Sequence, residues 1–347
     1  MKSILWTEKY RPRSLDEVVG HEEVVEKLKY LIKREGLPHL FISGPPSSGK
    51  TSLVLAMAED LYGDFLEENL TIFNASDFFD LGKAYLEKEK KFLRFYDKKK
   101  TVISVFKEVV KKYAPIPPLN ADFKIIFIDN AESLRYDAQQ ALRRMMERYS
   151  ETCRFVFATS QPSKIILPIR SRCLNLSLKN VDKKKIERRL LKIAEREDLR
   201  FVDEGEDAME YYLSDNLEIG IKVLQMASLK GQEIDAEAIK ESFEGFKSYL
   251  DIYLDDLFKK GSRKSSIFED PKNIKGGVER ITIEGGYGGE EILEKMWKRI
   301  SEMDLDEKKK AKMILCLGET DYTMRKGKYE YIHLENLFSK IFAVINL

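Results

Sequence analysis

One short stretch constrains this chain more than any other: Gly44–Ser52, GPPSSGKTS. It fits G-x-x-x-x-G-K-[ST], with Gly44, Gly49, Lys50 and Thr51 at the required places. Pro45, Pro46, Ser47 and Ser48 fill the loop, and Ser52 follows it. Glycines let backbone N–H groups turn towards phosphate oxygens with no Cβ in the way. Lys50 is placed to reach the β- and γ-phosphates, and the Thr51 hydroxyl to ligate Mg²⁺. The apolar run His39–Ile42 leads in as a strand, and Ser52–Ala58 leads out as a helix whose N-terminus favours anions. A chance match in a glycine turn lacks that context. The expectation is a chain that binds a nucleoside triphosphate.

The strand–helix alternation continues beyond the loop. Leu70–Ala75 reads as a strand, Lys124–Asp129 as a strand apolar on both faces, and Arg154–Thr159 as another. The recurring pattern predicts a parallel sheet flanked by helices, with ligands at the strands' C-terminal ends. Asp129 ends its strand where a nucleotide's metal would sit, so Thr51 and Asp129 are the expected Mg²⁺ ligands. A helix from about Glu22 to Arg34 precedes the loop. Another carries Leu134, Ala138, Leu142 and Met145 on one side and Gln140, Arg143, Arg144 and Arg148 on the other. From Asp182 the pattern is helical, with Asp182 capping Lys183–Glu195 and no competing strand signal. Further helices are expected over Glu206–Leu213, Leu217–Ser228 and Ala236–Phe243. Residues 244–347 read as a helical bundle over Tyr249–Phe258, Glu290–Met303, Glu307–Leu317 and Leu334–Ile345. It is interrupted by a Gly-, Ser- and Lys-rich loop at about 259–289, with a short β pair around Val278–Ile283.

Charge excludes little: 60 basic side chains balance 59 acidic ones among 347 residues, so a nucleic-acid surface must be local. Residues 77–112 are the richest candidate. They hold eleven Lys or Arg against six acids, with Phe92, Phe95 and Tyr96 interleaved. The pattern suits nucleic acid or a solvated helical face equally. Cys153, Cys173 and Cys316 are too scattered for a zinc site and suit a reducing compartment. No apolar stretch is long enough to span a membrane and the start lacks a signal-peptide pattern, so the expectation is a soluble protein with no membrane partner.

Several stretches together resemble the small subunits of replication factor C, the sliding-clamp loader of the AAA+ class. They are WTEKYRP at 6–12, GPPSSGKTS at 44–52, NASD at 74–77, DAQQALRRMMERYS at 137–150, PIRSRC at 168–173 and GETDYTMRKGKYEYIHLENLF at 318–338. FIDNAE and ATSQPSK look most like the second small-subunit type of some archaea. The resemblance implies an α/β P-loop AAA+ domain at 1–178, a small helical lid domain at 179–243 and an all-α collar domain at 244–347. It also implies ATP or ADP with Mg²⁺, a cytoplasmic setting (nuclear in a eukaryote), and a five-subunit ring with a large subunit and another small subunit. That ring would open a ring-shaped sliding clamp and pass it onto primer–template DNA. Arg172 would be an arginine finger in the neighbour's ATP site. Tyr10, Arg11 and Pro12 would flank the adenine, and Arg144 and Arg148 would lie near the DNA channel.

Departures from the family pattern sharpen the expectation. The usual Asp-Glu pair is here Asp129-Asn130, and an amide cannot take a proton from water. Loss of a positioned base typically costs ~10²–10⁴ in rate. Ser160 stands at the position of the sensing Asn, and Glu218 replaces the lid's phosphate-reaching Arg. A Glu beside triphosphate repels it. Glu132 is a weak substitute for the missing base. The expected result is a subunit that binds ATP or ADP and hydrolyses it weakly, while Arg172 serves the next site. The competing expectations are an AAA+ motor with its own turnover and a scaffold in which nucleotide is structural.

Overall fold

The computed structural model describes residues 5–34, 36–88, 99–213, 216–246, 249–258, 272–303, 305–327 and 329–346. By its internal packing the chain divides into two compact units, Met1–Lys240 and Glu241–Leu347.

The first unit is built on a five-stranded sheet: β1 (Leu40–Ser43), β2 (Leu70–Asn74), β3 (Lys124–Asp129), β4 (Cys153–Thr159) and β5 (Leu174–Ser177). The strands run parallel in the order β2-β3-β4-β1-β5. A period-two alternation assigns their side chains to the two faces. Leu40, Ile42, Ile125, Phe127, Val156 and Ala158 join one core with Leu28, Val54 and Met57. Phe41, Phe73, Ile126, Ile128, Phe155 and Phe157 join the other with Phe78, Phe106 and Leu142. Both faces are covered, which is why β3 reads as an unbroken apolar run. Each of the larger aliphatic and aromatic side chains, fully buried, contributes about 1.5–3 kcal/mol.

The helices of this part of the chain include α1 (Trp6–Lys9), α2 (Glu22–Lys33), α3 (Lys50–Tyr62), α4 (Ala75–Phe79), α5 (Lys83–Lys88), α6 (Val102–Tyr113), α7 (Tyr136–Arg148) and α8 (Leu167–Arg170), with a four-residue helix at Leu66–Asn69 between α3 and β2. Thr101 caps α6 by accepting from Ser104 N at 3.2 Å. The sequence pattern does not predict β5. Only Leu176 of its four side chains is buried, as suits an edge strand, and Leu174 remains 38% exposed. A half-polar run that short carries no strand signal of its own. Of the basic segment, α5 and α6 are described, but Lys90, Lys91, Phe92, Arg94, Phe95, Tyr96 and Lys98 lie outside the described residues.

The chain continues with α9 (Lys183–Arg196), α10 (Gly205–Leu213), α11 (Leu217–Ser228) and α12 (Ala236–Phe246). Asp182 caps α9 as expected, accepting from Lys184 N at 3.1 Å. The expectation of no strand here is corrected. Arg200–Phe201 and Glu233–Ile234 form a parallel two-stranded pair, β6 and β7. Pairs this short are made by tertiary contact, and Ile234 is fully buried to anchor one of them.

The second unit is helical: α13 (Tyr249–Phe258), α14 (Lys272–Glu279), α15 (Gly289–Glu302), α16 (Glu307–Lys326) and α17 (Glu330–Asn346). The β pair expected around Val278–Ile283 is also corrected. Arg280–Glu284 continues α14 as a π-helical turn. Val278 and Ile281 are both buried in the core with Leu254, Ile292 and Phe338. Their three-residue spacing is helical, and the β-branched composition suggests a strand only in isolation. The flexible loop expected at 259–289 is thus helical over 272–284, and 259–271 lies outside the described residues. Among the described residues no helix is long and apolar enough to cross a membrane.

Candidate nucleotide site

The C-terminal ends of β1, β3 and β4 meet at one place because β4 lies between β1 and β3. The loop after β1 packs there closely. Gly44 N donates to Thr159 O at 3.2 Å. A Cβ on Gly44 would come within 2.8 Å of Leu178 O, so only glycine fits. Ser47 and Gly49 adopt left-handed backbones, φ 56° and 86°, which turn successive amides to one side as an anion cradle. Lys50 begins α3 and folds back on the loop, donating to Gly44 O at 2.9 Å and Pro45 O at 2.7 Å. Burial pushes the Lys50 ammonium below its ordinary value, opposed by the carboxylates of Glu132 and Asp129.

Thr51 Oγ1 donates to Asp129 Oδ2 at 2.7 Å, joining the start of α3 to the end of β3. This hydroxyl–carboxylate pair supplies the hard oxygen donors that Mg²⁺ takes alongside substrate phosphates. The residues present therefore fit a magnesium–nucleotide. Asn130 follows with a left-handed backbone, φ 49°, and its Nδ2 donates to Asn74 Oδ1 at 3.1 Å. Glu132 turns to the end of β4 instead. Its Oε1 accepts from Ser160 Oγ at 2.6 Å and from Ser160 N at 3.3 Å. Burial works to raise the Glu132 pKa, but the hydrogen bonds from Ser160 and Thr159 outweigh it and hold the carboxyl below the usual range.

These groups open into a cleft of about 710 Å³. Its lining includes Tyr10, Arg11, Pro12, Pro46, Ser47, Ser48, Gly49, Lys50, Thr51, Ser52, Asp129, Asn130 and Ser160. The structure thus gathers the N-terminal arm, the phosphate loop and the strand ends around one space. Trp6 and Tyr10 are buried edge-to-face at 6.1 Å, and the Tyr10 hydroxyl bonds Glu197. Arg189 Nη2 on α9 donates to Tyr10 O at 3.0 Å, and Trp6 N donates to Gln225 Oε1 at 3.0 Å. The arm therefore ties the helical region to the cleft.

The helical region closes the other side with Val181, Arg189, Leu217, Glu218, Ile221 and Lys222. Glu218 reaches the loop itself, its Oε2 accepting from Ser47 Oγ at 2.9 Å. Sequence reading missed Arg189, Ile221, Lys222 and His21, whose Nε2 lies 3.0 Å from Ser48 O. The only signal was spacing on α11, where Leu217/Ile221 and Glu218/Lys222 repeat at four residues.

Arg172 is not in this cleft. It is exposed after α8, its Nε donating to Glu147 Oε1 at 2.9 Å and its Nη1 to Pro168 O at 2.7 Å. Arg144 and Arg148 are exposed on α7, with the Arg148 guanidinium 5.6 Å from the Tyr149 ring centre.

The chain is similar to known proteins along its length. Residues 40–179 match the ATPase family associated with various cellular activities, and residues 264–340 match the replication factor C C-terminal domain. A replication factor C small subunit of Archaeoglobus fulgidus is 35% identical over 332 residues, covering 95% of each chain. One from Methanococcus maripaludis is 33% identical, covering 97% of this chain and 98% of the relative. Among solved structures, a mutant form of Thermotoga maritima RuvB has a TM-score of 0.51 at 17% identity, covering 82% of this chain and 85% of that one. That likeness shows the fold alone. With curated relatives above 30% identity across nearly its full length, an AAA match over the sheet and a replication factor C match over the last helices, this chain belongs to the replication factor C small subunit family.

Proposed function

We propose that this chain is a subunit of a sliding-clamp loader whose own site holds ATP or ADP but turns it over weakly, while Arg172 serves a neighbouring subunit's site. The observation that carries the weak turnover is Asn130. It lines the cleft beside Asp129 with its amide donated to Asn74, and an amide orients water without accepting its proton. Glu132 is a poor replacement: its Oε1 is committed to Ser160, its Oε2 is buried, and it is not among the residues lining the cleft. Lys50 would hold the terminal phosphates, and Thr51 and Asp129 the Mg²⁺. The bound magnesium–nucleotide would supply the phosphoanhydride and the charge that the cation offsets. Gly44 lets the loop pack close, Gly49 supplies its left-handed turn, and Tyr10, Arg11 and Pro12 would border the base.

Arg172 supports the trans role by its position: exposed, outside its own cleft, and held by a surface carboxylate that a phosphate can replace. An arginine finger is worth ~10³–10⁵ in rate. The partners proposed are a large subunit, another small subunit, the ring-shaped clamp and primer–template DNA, with Arg144 and Arg148 towards the DNA. FIDNAE and ATSQPSK support the second archaeal small-subunit type. The division into 1–178, 179–243 and 244–347 belongs to the same reading, as does a cytoplasmic setting. The scaffold alternative draws on Asn130 and Glu218, both of which weaken turnover at this site.

The test is a reconstituted loader with clamp and primed DNA. Arg172→Ala is expected to reduce ATPase strongly, and Asn130→Ala to change it little. The reverse ranking would overturn the assignment. A null effect of Arg172→Ala with nucleotide still bound would favour the scaffold.

A further inference from the structure

Glu218 is an acid placed on a loop built for anions. Its Oε2 accepts from Ser47 Oγ at 2.9 Å, and its Oε1 accepts from Lys222 Nζ at 2.6 Å. Its backbone is fixed as well: Asn216 Oδ1 accepts from Glu218 N at 3.0 Å and from Ile219 N at 3.3 Å, capping α11. The carboxylate is therefore held at the loop rather than swept through solvent. The hydrogen bonds from Lys222 and Ser47, with the charge of Arg11, keep it below the usual carboxylate range, so it is ionised at neutral pH.

A phosphate chain seated on the loop amides would lie beside this carboxylate, because Ser47 belongs to the cradle and bonds Glu218 directly. At a given distance, like charges repel about fourfold more strongly at a protein-surface dielectric than in bulk water. Lys222 offsets part of this, but it is bonded to the oxygen that does not face Ser47. Every additional phosphate adds negative charge against the same fixed acid. The cations of the cleft, Lys50, Arg11, Arg189 and Lys222, are the same for diphosphate and triphosphate, so none is added to offset the extra phosphate. On the reading of the cleft as a nucleotide site, we propose that Glu218 makes it select a nucleoside diphosphate over the triphosphate.

The full-length chain is titrated calorimetrically with magnesium–ADP and with magnesium–ATPγS, as wild type and as Glu218→Gln. Wild type is expected to bind ADP about tenfold more tightly than ATPγS, one decade in Kd. Glu218→Gln is expected to narrow that ratio to about threefold or less by tightening ATPγS, and its retained ADP binding shows that the variant is folded. Equal or tighter ATPγS binding by wild type, or an unchanged ratio in Glu218→Gln, overturns the selection and leaves the nucleotide site standing. Binding of neither nucleotide by wild type overturns the site reading and the selection with it.

Discussion

Ser160 and Glu132 show how single residues in this cleft act through charge. Ser160 donates both its hydroxyl and its backbone N–H to Glu132 Oε1. Ser160→Ala removes the hydroxyl donor from a partly buried carboxylate and is expected to destabilise the chain by about 1–3 kcal/mol at neutral pH. Hydrogen bonding lowers the Glu132 pKa in the folded state. Its contribution is therefore complete above the ordinary carboxylate range and is lost as pH falls through the lowered value. Urea unfolding of both proteins at pH 7 and in the acid range checks this: the deficit should shrink on acidification. Residue identity was legible where a motif demands it, as at Gly44, Lys50 and Thr51. Arg189 was not legible, because its role is to hold the Tyr10 carbonyl, a partner distant in sequence.

At the scale of elements, local chemistry accounts for most boundaries. β3 and α11 run over the expected residues, and α9 starts at its Asp182 cap. Asp182→Ala is expected to cost about 1 kcal/mol, the usual worth of a capping side chain, and Asp182→Asn much less. Thermal unfolding of the two variants checks the ranking, and equal losses would remove the cap from the account. The elements that escaped sequence reading share a cause. β5, β6 and β7 are short and partly polar, and each exists because a neighbouring strand supplies its hydrogen bonds. The Val278–Ile283 segment escaped in the other direction, since its β-branched residues are buried at helical spacing.

At the scale of the whole molecule, net charge is near zero, so on the proposed loader reading any nucleic-acid binding must come from local surfaces. The loader is expected to bind primed DNA with little sequence preference and an affinity that falls steeply with salt, as phosphate contacts do. Titrations of unrelated sequences across a salt series check this, and salt-insensitive or sequence-selective binding would count against it. What the sequence by itself determined is the local and the covalent: the phosphate loop, the strand–helix alternation, the helix caps and the amide at Asn130. Those depend on residues adjacent in the chain or at one fixed period. What only the tertiary structure decided is which distant groups share one space. It brought Glu218 to Ser47 across 171 residues and turned Glu132 to Ser160. It also set Arg172 on the surface against Glu147. These are encounters between elements, set by how helices pack on a twisted parallel sheet, and no periodicity within the chain encodes them.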